Sequence, residues 1–134
     1  MHMVETRAYL RAILTVQPAL GAALHRLNQL LIDDLPDDVF VTLILARLKP
    51  RKRILLYASA GHDGYVLRAS GEFQHLDSTS LPLGLVNHQP VQPSSALSLK
   101  SNDVVVLLTD GFLERFNRQG ERFGWQRVMR TLEK

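Results

Sequence analysis

A chain of 134 residues is sized for one domain, and at that length roughly two thirds of the unfolded surface can be buried. A hydrophobic fraction of 46% against 22% charged excludes a disordered polymer, and no apolar run approaches the roughly 18 residues of a membrane helix. The lack of cysteine removes disulfides and thiolate metal sites, and a net charge of +3 is below the aromatic-laced basic excess of a nucleic-acid binder.

Met1-His2-Met3 reads as an appended remnant and is set aside, which leaves 4–134 as the domain. No basic-then-apolar leader opens the chain, and a bacterial cytoplasm is the expected setting. Residues 4–16 place Val4, Ala8, Leu10, Ile13 and Leu14 at helical spacing. Pro18 suits the first turn of a second helix, where its missing N–H costs nothing. Leu20, Ala23, Leu24, Leu27, Leu30 and Leu31 make that helix's apolar stripe, with His25, Arg26, Asn28 and Gln29 read as mostly off it. The helix should stop near Asp33-Asp34, ahead of Pro36.

Strands follow. Residues 39–46 are β-branched and apolar, Lys49-Pro50-Arg51-Lys52 is a turn, and 53–59 returns as the second arm of an antiparallel hairpin. Ala60-Gly61-His62-Asp63-Gly64 is a tight turn whose glycines can take positive φ. Tyr65 to Arg68 and Glu72 to Leu76 continue the sheet around Ser70-Gly71. Residues 77–98 read as irregular, with room for a short strand. Asp103 to Thr109 is apolar on both faces, the pattern of a central strand buried on both sides. It ends at Asp110-Gly111. A short helix near 113–116, a turn at 117–121 and a last helix over 124–132 complete the chain.

The chemical signal is Leu107-Leu108-Thr109-Asp110-Gly111. A strand end is a rigid platform for a carboxylate that must hold a hard cation, and Gly111 lets the chain turn away. From these residues alone, Asp110 can be a metal ligand or only part of a turn.

Other segments stand around it in order: Phe40-Val41-Thr42, Tyr57-Ala58-Ser59-Ala60-Gly61-His62, Leu81-Pro82-Leu83-Gly84, Glu114, and Gly120-Glu121-Arg122-Phe123-Gly124. With Leu24, Leu27 and Asn28 in the second helix, this series resembles the SpoIIE/RsbU branch of the PPM-type, metal-dependent serine/threonine phosphatases. The resemblance spans roughly residues 18 to 132. It implies an α/β (α+β) fold, here an incomplete α-β-β-α sandwich with antiparallel sheets and flanking helices. It implies a site with two divalent ions, Mn2+ or Mg2+, that would generate a hydroxide from bound water to attack phosphoserine or phosphothreonine. Asp110 matches the family's metal-binding aspartate, with Gly111 permitting its turn. Gly61 and His62 match a turn near the site, His62 as a positioning residue and not a ligand. The resemblance further implies a phosphorylated regulatory protein as substrate, of the anti-sigma-factor antagonist type, and a sensory domain elsewhere in the parent protein.

The chain also departs from that pattern. The family's N-terminal glycine-aspartate motif, its glycine-histidine-glycine motif and its C-terminal aspartate pair have no match. One carboxylate cannot hold two hydrated cations that each need about six oxygen ligands, so the isolated chain is expected to be inactive. Missing strands would leave an open sheet edge, and open edges recruit other chains, so a homodimer is expected. The reading from a different class is a non-catalytic interaction module that keeps the fold and lacks the hydrolysis. A nucleic-acid binder has poor support.

Other candidates have plain readings. Asp33, Asp34, Asp37 and Asp38 lack the glycine and spacing of a calcium loop and read as a solvated connection. Arg51-Lys52-Arg53 reads as a charged, solubilising hairpin tip, as does the basic run from Arg115 to Arg130. His25, His75 and His88 show no ligand-spaced pair and read as surface. Phe123 and Trp125 read as packing for the last helix.

Overall fold

The computed structural model describes residues 2–87, 89–109, 119–120, 127 and 130–132. Two helices open it, α1 over His2–Val16 and α2 over Leu20–Asp34. On α2, residues Leu20, Ala23, Leu24, Leu27 and Leu31 are buried at three- and four-residue spacing, the stripe expected of a helix lying on a core. Asn28 is fully buried among them, against the reading that left it off the stripe. Its spacing of four from Leu24 and three from Leu31 puts it on that face. Pro18 stands outside the helix, because the extended residue Ala19 is the N-cap. The Gln17 side chain accepts the Ala19 N–H at 3.3 Å and holds this bend. At the far end Leu35 is extended, as a residue before proline is driven to be.

Strand β1 runs Leu43–Lys49 and β2 runs Ile54–Ala60, paired antiparallel from Leu43↔Ala60 to Lys49↔Ile54. The first strand was expected over 39–46. It is displaced because Gly61, at φ 64°, turns the partner strand away beyond Ala60. Residues before Leu43 therefore lose that partner, and Val41 exchanges backbone hydrogen bonds of 2.9 and 2.8 Å with Leu83 instead.

Strands β3 (Gly64–Leu67), β4 (Phe73–Leu76), β5 (Leu97–Ser98) and β6 (Val104–Val106) complete two antiparallel sheets, ordered β1-β2-β5 and β4-β3-β6. The helices lie on one face of the first sheet, where Ala58 and Ala60 join the α2 stripe, Leu83 and Val91 in one cluster. The opposite face of β2, with Leu55 and Tyr57, meets Val66 and Leu76 of the second sheet. β2 is thus apolar at nearly every position because successive side chains enter different cores.

The doubly buried strand was expected at 103–109, and the structure corrects this. Among the described residues β6 pairs only with β3, and Val104 and Leu107 are each 42% exposed. The apolar run is present; the second neighbour that would cover it is not among the described residues. The outer end of β6 is fixed by Asp103. Its carboxylate accepts the Lys100 and Ala69 N–H groups at 2.8 and 2.9 Å and an Arg68 N–H at 2.8 Å. The helix expected near 113–116 and most of 124–132 lie outside the described residues, although Arg127, Arg130, Thr131 and Leu132 are helical.

Candidate functional site at the end of the β2–β3 turn

Three of the segments singled out in the sequence meet at one end of the sandwich. Phe40-Val41-Thr42 is bridged to Leu81-Pro82-Leu83-Gly84 through Val41↔Leu83. That second segment also closes over the β2–β3 turn: Ala60 bridges Ser80, and the Gly61 N–H donates to the Ser80 carbonyl at 2.9 Å. Gly61 is required twice. Its φ of 64° is left-handed, and a Cβ there would stand 2.5 Å from Pro82 Cγ.

The turn is held from inside by Ser59, a fully buried residue that the sequence reading passed over. Its hydroxyl donates to the His62 carbonyl and accepts the His62 N–H at 3.2 Å. Its carbonyl accepts the backbone N–H groups of Thr79 and Ser80, at 3.1 and 2.9 Å, and the Thr79 hydroxyl at 3.1 Å. This knot seats the His62 backbone. The one available signal was a hydroxyl interrupting an apolar strand.

Asn28 holds the other side. Its Oδ1 accepts the Gly84 N–H at 2.8 Å and its Nδ2 donates to the Val86 carbonyl at 2.9 Å. Helix α2 thereby fixes the loop that covers Gly61.

Asp63 follows His62 and lies 3.3 Å from His75 Nε2, whose Nδ1 is 2.7 Å from Asp77. Tyr65 stacks on the His75 ring at 4.9 Å between centroids. Burial and the charges of Asp77 and Asp63 push the Tyr57 hydroxyl above its usual pKa; it donates to the Asp77 carbonyl at 2.8 Å. His75 is exposed, as its surface reading expected, and lies between these two carboxylates. His25 likewise meets the Gln89 carbonyl at 2.7 Å.

Asp110 and Gly111 lie outside the described residues, as do His88, Glu114, Glu121, Phe123 and Trp125. What is described is the approach to them. β6 runs antiparallel to β3 with Val106 opposite Tyr65, and Leu107 Cδ2 comes within 2.8 Å of where a Gly64 Cβ would stand. The strand that leads to position 110 therefore climbs to the same end as Gly61, His62 and Asp63. Among the described residues, no group of three or more His, Asp or Glu could hold a metal ion. They do not by themselves form a centre for the implied cations, and no reaction step is drawn through one. The acidic run at Asp33, Asp34, Asp37 and Asp38 is exposed, and Asp34 accepts a hydrogen bond from Tyr9 that ties α1 to α2.

The family model for Stage II sporulation protein E (SpoIIE) matches residues 1–134. The chain belongs to the SpoIIE family. No curated protein sequence matches it. Solved structures agree with the fold. The SiaA-PP2C domain of Pseudomonas aeruginosa aligns at 22% identity with a TM-score of 0.74, over 95% of this chain and 50% of that one. The RsbU and RsbW domains of Rv1364c from Mycobacterium tuberculosis align at 24% and 0.70, over 90% and 33%. The Mn-presoaked SpoIIE phosphatase domain of Bacillus subtilis aligns at 21% and 0.52, over 96% and 56%. The chain thus spans between a third and little more than half of these structures, and it shares the mixed architecture of helices and antiparallel sheets of PP2C-type phosphatase domains. The SpoIIE/RsbU resemblance read in the sequence and the fold it implied are both borne out.

Proposed function

We propose that residues 4–134 are part of a metal-dependent phosphoserine/phosphothreonine phosphatase domain of bacterial regulatory signalling. The observation that carries this reading is the meeting of Phe40-Val41-Thr42, Gly61-His62 and Leu81 to Gly84 at the end of the sandwich toward which β6 runs, with Asp110 four residues beyond β6 in sequence. Asp110 is the metal ligand in this reading, for Mn2+ or Mg2+, since carboxylate oxygens suit hard cations. Gly111 permits its turn, and Gly61 and His62 position the neighbouring loop. A phosphorylated protein of the anti-sigma-factor antagonist type is the proposed substrate, acting in the cytoplasm. The pairing of RsbU and RsbW domains in one structural neighbour supports that partner-switching setting. No helix among the described residues is long and apolar enough to cross a membrane.

The 134-residue chain alone is proposed to be inactive, because one candidate carboxylate is too few for two cations. The test measures manganese-dependent dephosphorylation of a phosphoserine protein by the chain alone and by the chain joined to its flanking coding sequence. The longer protein should turn over, and Asp110→Asn in it should cost at least about 100-fold. Turnover by the short chain would refute the inactivity. A longer protein that binds the phosphoprotein without hydrolysing it would replace the enzyme by an interaction module. The outer edge of β6, unpaired among the described residues, supports a homodimer through an added strand; a monomer at all concentrations in light scattering would remove that part.

A further inference from the structure

The β1–β2 hairpin carries its charge at one end. Lys49, Arg51, Lys52 and Arg53 are all exposed around the turn, and among the described residues none of them pairs with a carboxylate. No Asp or Glu occurs between Asp38 and Asp63. Beside the cations stands Leu48, 55% exposed at the end of β1. Lys100 lies close, since the Leu99 N–H donates to the Arg53 carbonyl at 2.8 Å, but Glu72 shares its depression and Lys100 is left out of the count. The nearby Asp103 carboxylate is turned inward onto Arg68, with its side chain 2% exposed.

Position decides what such a tip can serve. β2 runs from Ile54 at the tip to Ala60 at the Gly61–His62 turn, so the candidate site lies about 20 Å away, at the opposite end of the strand. A phosphate held at the tip would not reach the site. The acidic run at 33–38 precedes β1, and thus lies toward the far end as well. The hairpin is therefore charge-polarised along its length, cations and an exposed leucine at one end and carboxylates toward the other. No aromatic residue stands between Tyr57 and Phe40 to stack on nucleic-acid bases. Residues 48–53 of the tip are all exposed, with no buried polar group to enclose a single phosphate ion, which suits an extended anionic plane better.

We propose that the 48–53 hairpin tip docks on the anionic phospholipid headgroups of a membrane, with Leu48 entering the interface and the candidate site facing away from the lipid. This goes beyond the phosphatase reading and does not depend on it. Each cation near such a surface contributes roughly fivefold to the partition constant, and the effect is screened by salt.

The test is co-sedimentation of the full chain with phosphatidylcholine vesicles containing about one third phosphatidylserine, against phosphatidylcholine alone. The chain should bind the first and not the second, and salt near 0.5 M should release it. The variant K49Q/R51Q/K52Q should bind about 100-fold more weakly, and L48S several-fold more weakly. The charge-matched control R7Q/R11Q/R26Q, on α1 and α2, should stay within about twofold. Should the triple tip variant fail to fold, R51Q/K52Q carries the test with a loss of about 25-fold. Equal binding to both vesicle types, no loss in the tip variants, or an equal loss in the control overturns the proposal. Tighter, tip-dependent binding to polyglutamate or to DNA than to the anionic vesicles overturns it as well.

Discussion

Replacing Asn28 with alanine removes the side chain of α2 that bonds directly to Gly84 and Val86 in the loop over Gly61. Two hydrogen bonds go, to the Gly84 N–H and the Val86 carbonyl. Val86 is exposed, so its carbonyl regains water and the loss there is small. Gly84 is half-buried, and leaving its donor unpaired there costs up to about 1–3 kcal/mol. The space left among Leu24, Leu27 and Leu31 adds about 1 kcal/mol. The total, about 2–4 kcal/mol, is a large share of the 5–15 kcal/mol typical of a domain. With a urea slope near 2 kcal/mol/M, the unfolding midpoint should fall by about 1–2 M. Hydrogen exchange at Gly84 should accelerate beyond what global destabilisation explains. Asn28→Asp keeps an acceptor for Gly84 but loses the donor to Val86, so it should also destabilise at neutral pH. If Asn28→Ala shifts the midpoint by less than about 0.3 M and leaves Gly84 exchange unchanged, the clamp is not structural and the account of how α2 holds this loop fails.

Two further predictions concern the ends of the second sheet. Gly61→Ala meets both a left-handed φ and Pro82; strain and overpacking together should cost about 2–4 kcal/mol in urea unfolding, and a cost below about 0.5 kcal/mol would mean the turn relaxes freely. Asp103 is held by the N–H groups of Lys100, Ala69 and Arg68, which lower its pKa from 3.8 to about 2. The folded state therefore favours the carboxylate, so its contribution is complete above about pH 4 and fades as pH falls toward about 2. Asp103→Asn should destabilise at neutral pH, and the gap to the parent should narrow across that window. A gap independent of pH would refute the assignment.

Much of the fold was legible because local rules agreed. The α2 stripe, its stop before Pro36, the β1–β2 hairpin and the turns at Gly61 and Gly71 follow from spacing, proline and glycine. So did the order of short segments that marks the SpoIIE family, although Asp110 and Gly111 lie outside the described residues. Three features were misread or passed over, each for a long-range reason. Asn28 looked like surface polarity, because its partners Gly84 and Val86 lie more than fifty residues away. Ser59 was given no role of its own, because its knot is tied by Ser78 to Ser80. The run at 103–109 reads as a central strand by composition, while a strand's place in a sheet depends on which neighbours pair with it, which composition does not encode.

The sequence by itself determined the two opening helices, the antiparallel hairpins and the family, because periodicity, turn chemistry and motif order are local properties of the chain. Only the tertiary structure decided that β2 is the strand covered on both faces, that Asn28 and Ser59 hold the loop at the candidate site, and that the basic hairpin tip lies a strand's length from it. Each is a matter of which distant backbone groups find one another once the two sheets and the helices close on their cores.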